Sequence, residues 1–186
     1  PCDAEILNHV GEAYRRFRNT FRFLLGEIED QFDPAVDGLE FEDLEAYDKL
    51  MLARLCEVHK QVSDAYAAYR FNQAYRTLYD FVITELSNGY LNATKDRVYC
   101  EAPTSRMRRS AQTVWAHILS MLVRDLQPIL VYTTDEVMEY LPESMRDGQK
   151  FAALLDWWNA PLSEDEYAPY LTVYEAVIEA RAAFTK

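Results

Sequence analysis

A run of cationic side chains near the start of the chain has the chemistry to hold an anion. It consists of four arginines and one asparagine, which are Arg15, Arg16, Arg18, Asn19 and Arg22. At 100° per residue on an α-helix, four of these five side chains project within an arc of about 100°, and Arg16 lies just beyond it. The planar guanidinium group of arginine can donate two parallel hydrogen bonds to one phosphate group. The pattern therefore favours a phosphate-bearing partner. Pairing with acids of the same bundle or with another domain is the alternative.

Two smaller basic groups follow later in the chain. Lys95 and Arg97 are predicted to lie just past the end of the third helix, and the arginines of 106–109 at the start of the fourth. Because only a short connection separates the two groups, we expect them to share a neighbourhood. Positive charge at a helix start opposes the helix dipole, at a cost of about 0.3 to 1 kcal/mol per charge. The arginines of 106–109 therefore indicate either anion contact or ion pairing with Asp96 or Glu101.

The residue types that catalyse reactions or bind metals do not form a recognisable site. A di-iron bundle needs Glu-x-x-His on two helices, but no acidic residue stands three before any histidine. Cys56 and His59 are three apart, yet two ligands do not make a structural zinc site, and we interpret them as a buried thiol beside a surface histidine. No phosphate-binding glycine motif and no Gly-x-Ser-x-Gly turn is present. We therefore predict no catalytic residue, no metal ligand and no cofactor site in this chain.

Long helices must position these side chains, because apolar residues recur at steps of three and four along most of the sequence. This periodicity predicts the first three helices over about 4–25, 44–69 and 71–87. Gly89 is expected to stop the third helix. Pro103 suits the first turn of a fourth helix, which Pro128 ends.

Two capping signals, each a Thr or Ser followed three residues later by Glu, predict further helices. They are Thr133 with Glu136, and Ser163 with Glu166. The first helix is predicted to run through Tyr140. Pro169 would lie inside the second, so we expect one turn and then a restart that runs to about residue 184.

These elements predict an all-α fold class, an antiparallel bundle of four to five long helices. We place the bundle at 1–142 and, at 143–186, an irregular aromatic segment followed by a helix. Of the 186 residues 49% are apolar and only 5 are glycine. That composition excludes a disordered acidic chain, and it does not supply the turns of an all-β sandwich.

The formal net charge of -12 argues, as a total, against a nucleic-acid partner, since phosphate contacts dominate such binding. A total, however, does not describe the distribution. Ten acidic residues and no basic one lie between Gly26 and Lys49. We interpret this stretch as a solvated connector, and a cation site is the alternative, although the regular spacing of an EF-hand loop is missing.

Three well-separated cysteines without a CxxC motif favour a reducing compartment, and we expect a cytoplasmic protein. The longest uncharged stretch, 110–123, is too short and too polar to cross a bilayer, so no membrane contact is expected. The start at Pro1, without a signal peptide, is typical of a piece of a longer chain.

Five blocks of the sequence stand in order along the chain. They are 14–26 (YRRFRNTFRFLLG), 86–92 (LSNGYLN), 95–100 (KDRVYC), 109–113 (RSAQT) and 126–130 (LQPIL). Together they resemble the helical anticodon-binding domain of isoleucyl-tRNA synthetases of the bacterial type. The resemblance covers about 4–142 and is weaker beyond, where 174–181 is similar to the family's helix leading into its C-terminal region.

The resemblance implies a class I aminoacyl-tRNA synthetase that attaches isoleucine to its tRNA using ATP. The family's two ATP signatures, His-Ile-Gly-His and Lys-Met-Ser-Lys-Ser, are absent here. The chain therefore resembles only the domain that grips the anticodon stem-loop and is expected to be non-catalytic, with ATP, Mg²⁺ and a C-terminal Zn²⁺ bound by the parent outside this chain. The implied partners are the anticodon stem-loop of an isoleucine-accepting tRNA and the catalytic domain of the same parent. We expect a monomer.

The tRNA-binding residues implied by the matching blocks are Arg15, Arg16, Arg18, Asn19, Arg22, Lys95 and Arg97. The match does not separate those that contact RNA from those that brace this domain against the catalytic domain. A rival hypothesis from another class is a helical protein-protein interaction module that uses the aromatic C-terminal surface around Trp157 and Trp158.

Overall fold

The computed structural model describes residues 3–28 and 32–184. Its α-helices are α1 (Ala4–Ile28), α2 (Pro34–Asp37), α3 (Ala46–Ala67), α4 (Phe71–Asp80), α5 (Leu91–Cys100), α6 (Arg106–Leu126), α7 (Val131–Tyr140) and α8 (Glu164–Phe184). A π-helix, Phe81–Tyr90, joins α4 to α5, and 3₁₀ turns lie at Phe41–Asp43, Glu143–Met145 and Ala152–Leu154. These ranges contain no strand, so the predicted all-α fold class is confirmed. None of the described helices combines the length and apolarity needed to cross a bilayer.

Five long rods form the bundle, because α4, the π-helix and α5 run on as one rod. In the first half of α1, Tyr14 accepts a hydrogen bond from Thr133, which follows the end of α6. At the other end of both helices, Gln112 near the start of α6 donates to the carbonyl of Glu27 near the end of α1, so the two helices are antiparallel. Near the end of α3, Tyr66 donates to the carbonyl of Asp125 at the end of α6. We call the end with the start of α1, the α3–α4 turn and the α6–α7 turn the upper end. The lower end holds the start of α3 and the α5–α6 loop.

The core is built from the apolar stripes that the sequence shows. Phe17, Phe21 and Leu24 place the buried stripe of α1 against the other rods. Trp115 of α6 is fully buried, and its indole N–H donates to the Thr94 hydroxyl at 3.1 Å, so its one polar atom is satisfied. Because α1 buries this stripe, its arginines lie on the exposed side of the helix.

The third rod does not end near Gly89, contrary to the prediction. A glycine stops a helix by taking the left-handed conformation, but among the described glycines only Gly148 has a positive φ. The rod instead continues through the π-helix to Cys100 and buries Tyr90 and Leu91. The basic pair of 95 and 97 therefore lies within α5 and not beyond the end of a helix.

Two predicted helix starts are also wrong. Helix α6 begins at Arg106, and Pro103 lies in the turn before it. Helix α7 begins at Val131, so Thr133 is already inside its first turn and does not cap it. The Thr133 hydroxyl donates instead to Tyr14 on α1 at 3.3 Å, which holds α7 against α1.

Helix α8 begins at the predicted capping signal, and the bond from the Ser163 backbone N–H to the Glu166 carboxylate, one of the two bonds of a capping box, is confirmed. The backbone N–H and the hydroxyl of Ser163 donate to Glu166 Oε2 at 2.8 and 2.6 Å. The predicted break at Pro169 is wrong, because α8 is one helix to Phe184. Pro169 is exposed, so the carbonyl that loses its helical partner can bond water.

A charged cluster fastens α8 to the bundle. Arg54 of α3 donates through Nε and Nη2 to both carboxylate oxygens of Glu85, at 2.9 and 2.8 Å. The Tyr174 hydroxyl of α8 donates to the same carboxylate at 2.7 Å. One carboxylate of the π-helix therefore joins α3 and α8, which makes α8 part of the bundle packing.

The aromatic segment before α8 covers the bundle with one of its two tryptophans. Trp158 is buried, and its ring lies 5.3 Å from that of His59 and 5.9 Å from that of His117. His59 is itself buried and pairs through Nδ1 with the buried Asp125 at 2.9 Å, so the interpretation of His59 as a surface residue is wrong. Trp157 is half exposed and packs beside Tyr66.

The partial burial of His117 beside Trp158 predicts a loss of stability in acid. Desolvation lowers the pKa of His117 to about 4, whereas a histidine of the unfolded chain titrates near 6.5. Between these pH values His117 is protonated in the unfolded chain and neutral in the folded chain, so protonation favours unfolding. The stability that neutral His117 allows is therefore fully present above about pH 6.5 and is lost as the pH falls toward 4. Relative to His117→Gln, the wild type should lose up to roughly 3 kcal/mol of unfolding free energy between pH 7 and pH 4. Urea unfolding at a series of pH values measures this difference, and parallel pH profiles would contradict it.

Candidate nucleic-acid interface

The cationic side chains fall into two groups, those that pair with a carboxylate of the protein and those that do not. Several have a carboxylate oxygen within 4.0 Å, among them Arg54, Arg97, Arg106, Arg109 and Arg124. Seven others have no side-chain hydrogen-bond or ion-pair partner among the described residues, and these are Arg15, Arg16, Arg22, Arg70, Arg76, Lys95 and Lys150. Four of the seven were predicted as binding residues from the sequence. The N–H donors of these unpaired cations are therefore available to a partner outside the described residues.

The first groove beside these cations lies between α1 and the rod that contains α5, and we call it the α1/α5 groove. Its volume is about 360 Å³. Arg16 and Asn19 line it from α1, and Lys95 and Asn92 line it from α5. Because α1 and the α5 rod run side by side, residues far apart in sequence meet here. The structure thus brings three predicted residues, Arg16, Asn19 and Lys95, into one concave surface.

A second groove, of about 390 Å³, lies between α1 and α7, and we call it the α1/α7 groove. Arg18 and Arg22 line it from α1, and Glu136 lines it from α7. Arg18 Nη2 lies 3.9 Å from Glu136 Oε1, with both side chains about half exposed, which is a weak surface pair. The predicted arc of arginines is therefore divided between two grooves, because the crest of α1 lies between them. Arg15 occupies the crest.

Arg97 points away from Lys95, although only one residue separates them. Two positions along an α-helix correspond to a turn of about 200°. Arg97 Nη1 lies 3.0 Å from a carboxylate oxygen of Asp48, which has no exposed surface. Asp48 also accepts hydrogen bonds from Tyr90, at 2.7 Å, and from Ser110. Arg97 therefore joins α5 to α3 in the interior of the bundle.

Burial and hydrogen bonding act in opposite directions on the Asp48 carboxyl. Desolvation raises its pKa above the ordinary value for aspartate, while the bonds from Ser110, Arg97 and Tyr90 lower that pKa in part. The charged partner at Arg97 is what lets a carboxylate remain in the core. This cluster is a structural element of the fold, located beside the candidate interface.

Two of the three arginines at the start of α6, Arg106 and Arg109, pair with the acidic connector, whereas Arg108 donates to the backbone carbonyl of Glu101 at 3.2 Å. Arg109 Nη2 lies 3.1 Å from Asp37, and Arg106 lies 3.9 Å from both Asp43 and Glu45. Helix α6 starts where the connector passes at the lower end, so each neutralises part of the other. Within the described residues no group of three or more His, Cys, Asp or Glu side chains is placed to hold a metal ion.

Sequence reasoning missed Arg76, an exposed residue of α4 with no partner among the described residues. Asp80 stands four residues later, and that spacing predicts an ion pair on the helix surface. The structure shows no such pair. The only signal in the sequence was the pair of tyrosines that flank it, Tyr75 and Tyr79, and that pattern is equally typical of a buried stripe.

Comparison with known proteins gives one family. The family model described as the anticodon-binding domain of tRNA ligase matches residues 48–186. The isoleucine--tRNA ligase of Desulforudis audaxviator is 49% identical over 137 residues, which cover 74% of this chain and 15% of that ligase. Those of Desulfovibrio desulfuricans and Nitratidesulfovibrio vulgaris are 41% and 37% identical, covering 90% and 98% of this chain and 17% and 19% of the ligases. The chain thus spans less than a fifth of the curated relatives it matches.

The position of Arg97 predicts a stability defect when it is replaced. Arg97→Gln should lower the free energy of unfolding by about 3 kcal/mol, because Asp48 is then left buried without its charged partner. Arg22→Gln is the matched control, since Arg22 is exposed and unpaired among the described residues, and it should change stability by less than about 0.5 kcal/mol. Urea unfolding at neutral pH measures both. Equal effects of the two substitutions would show that the Arg97–Asp48 pair does not support the fold.

Proposed function

This chain belongs to the anticodon-binding domain family of tRNA ligases, and we propose that it holds the anticodon stem-loop of a tRNA along the α1/α5 groove. The resemblance to isoleucyl-tRNA synthetases seen in the sequence is confirmed by relatives that are 37% to 49% identical. The observation that carries the proposal is the pair of unpaired cations, Arg16 and Lys95, that line this one groove.

The chemistry of the groove suits an RNA loop. Arg16 and Lys95 can each neutralise a phosphate, and arginine can in addition stack on an unpaired base. Asn19 and Asn92 bring side-chain amides, which both donate and accept hydrogen bonds, as the edges of unstacked bases require. The groove therefore combines charge for the backbone with hydrogen-bonding groups for the bases.

The other candidate surface suits RNA less well. In the α1/α7 groove Glu136 lies beside Arg18, and the walls include Phe21, Leu25 and Val137. Because Arg18 is already paired with Glu136, this groove offers only Arg22 as an unpaired cation, whereas the α1/α5 groove offers both Arg16 and Lys95. This groove fits a protein surface better, and the catalytic domain of the same parent is the partner that we propose for it.

We infer that the chain acts within an isoleucine--tRNA ligase, which attaches isoleucine to tRNA using ATP. This inference is supported by the names of the relatives and by the share of their length that the chain covers. The role of this chain is to anchor and orient the tRNA. ATP, Mg²⁺ and Zn²⁺ would be bound by other parts of the parent.

Replacing the two groove cations together tests the proposed function. The double variant Arg16→Gln, Lys95→Gln should bind an RNA hairpin with the anticodon stem-loop of an isoleucine-accepting tRNA about tenfold or more weakly at low salt. The slope of log K against log salt should become shallower by about 1.4 to 1.8, because two phosphate contacts are lost. Fluorescence anisotropy with the 186-residue chain over a salt series measures both quantities.

The double variant Lys60→Gln, Arg70→Gln is the charge-matched control for that experiment, because it also removes two positive charges. Lys60 is exposed on α3, where it pairs with Asp64 at 3.0 Å, and Arg70 is exposed and unpaired among the described residues. Neither lines the α1/α5 groove, so replacing both should leave affinity and slope unchanged. Absence of hairpin binding by the wild type at low salt, or equal losses in the two double variants, would overturn the proposal.

A further inference from the structure

A third groove, of about 440 Å³, continues the proposed RNA site toward the upper end of the bundle. It lies between α1 and α4, and we call it the α1/α4 groove. Arg16 lines both this groove and the α1/α5 groove, so the two are joined through one side chain. From Arg76 in this groove to Lys95 in the other, the rod advances 19 positions, roughly 25 to 30 Å at the rise of a helix. The joined grooves are therefore longer than a single-nucleotide site needs.

The α1/α4 groove is lined by aromatic rings that pack on one another and by a cation with no partner among the described residues. Tyr75 and Tyr79 are stacked, with ring centroids 6.0 Å apart, and both meet Phe17 edge to face at 6.1 and 6.0 Å. Arg76 is exposed beside them and is free of Asp80. Burial raises the pKa of Tyr75, so its hydroxyl keeps its proton near neutral pH and can donate. Arg76 lines the same groove as these rings, and its guanidinium donors are not used by any described residue.

The acids of the α1/α4 groove limit which partner fits. Glu12 and Asp80 line it together with Arg16 and Arg76. Carboxylates repel a simple polyanion, but they accept hydrogen bonds from hydroxyl groups. Ribose presents a 2′-hydroxyl beside each phosphate, so alternating cations and carboxylates match a ribose-phosphate backbone better than a deoxyribose one.

We propose that the α1/α4 groove binds the ribose-phosphate backbone of the stem of the RNA hairpin whose loop occupies the α1/α5 groove. This inference rests on the proposed function and adds a second contact to it. The α1/α4 groove adjoins the α1/α5 groove on its upper side through Arg16, so a stem that continues from the loop along the joined grooves runs toward the upper end, along α4. Arg76 contacts a stem phosphate, and Glu12 or Asp80 accepts from a 2′-hydroxyl.

The substitution Arg76→Gln tests the inference with two RNA probes, the complete hairpin and a single-stranded RNA with the loop sequence alone. The variant should bind the hairpin about three- to tenfold more weakly, with a salt slope shallower by about 0.7 to 0.9, because one phosphate contact is lost. It should bind the single strand as the wild type does. Thermal unfolding should be unchanged, since Arg76 is exposed and makes no contact that the fold needs.

Arg70→Gln is the matched control, because Arg70 is also exposed and unpaired among the described residues but lies outside the grooves. It removes the same charge and should leave hairpin binding unchanged. Equal losses in the two variants, or equal losses of Arg76→Gln on hairpin and single strand, would overturn the inference. If only Arg16→Gln, Lys95→Gln weakens the hairpin, the stem contact fails and the proposed function stands. If no variant weakens it, both fail.

A hairpin with a DNA stem and the same RNA loop tests the 2′-hydroxyl contact. The wild type should prefer the RNA stem, and the double variant Glu12→Ala, Asp80→Ala should lose that preference, because it removes the acceptors that only the 2′-hydroxyls of the RNA stem can use. Equal binding of the two stems by the wild type would contradict the inference.

Discussion

The buried carboxylate of Asp48 fixes the register of three helices, and the candidate interface depends on that register. A carboxylate with no exposed surface must be satisfied inside the protein, and it takes hydrogen bonds from Tyr90 and Arg97 on one rod and from Ser110 on α6. Because Arg97 is held inward, Lys95 on the other side of α5 turns toward α1. A rotation of α5 that released Arg97 would leave the buried Asp48 carboxylate without its charged partner and would turn Lys95 out of the groove.

The distribution of ion pairs explains how an acidic chain keeps a basic surface. At the lower end, Asp37 is offset by Arg109, and Asp43 and Glu45 lie near Arg106. The Debye length is about 8 Å at physiological ionic strength, which is much shorter than the rods. The connector charge therefore contributes little to the potential at the α1/α5 groove. The net charge of -12 is a sum over distant parts of the surface and does not describe the field at that groove.

Local pattern was sufficient for the fold class and for α1, because three-four spacing of apolar residues determines an amphipathic helix. It was insufficient wherever a residue distant in sequence determines the extent of a helix or the orientation of a side chain. The rod continues through Gly89 because burial of the next two side chains favours it, and Arg97 turns inward because Asp48, forty-nine residues away, needs it. Arg76 has Asp80 at a spacing that predicts a pair, yet the structure leaves the two apart. Such outcomes depend on tertiary packing, which the local sequence pattern does not determine.

Under the proposed function, few phosphate contacts are an advantage. About three neutralised phosphates give a salt slope near 2, so binding by this chain alone weakens by more than tenfold between 50 and 200 mM salt. The relatives are more than five times longer, and contacts made by their other parts would multiply with these through effective concentration. A ligase must also release its charged tRNA after each cycle. An anchor that is weak alone and strong in combination orients the RNA without retaining the product.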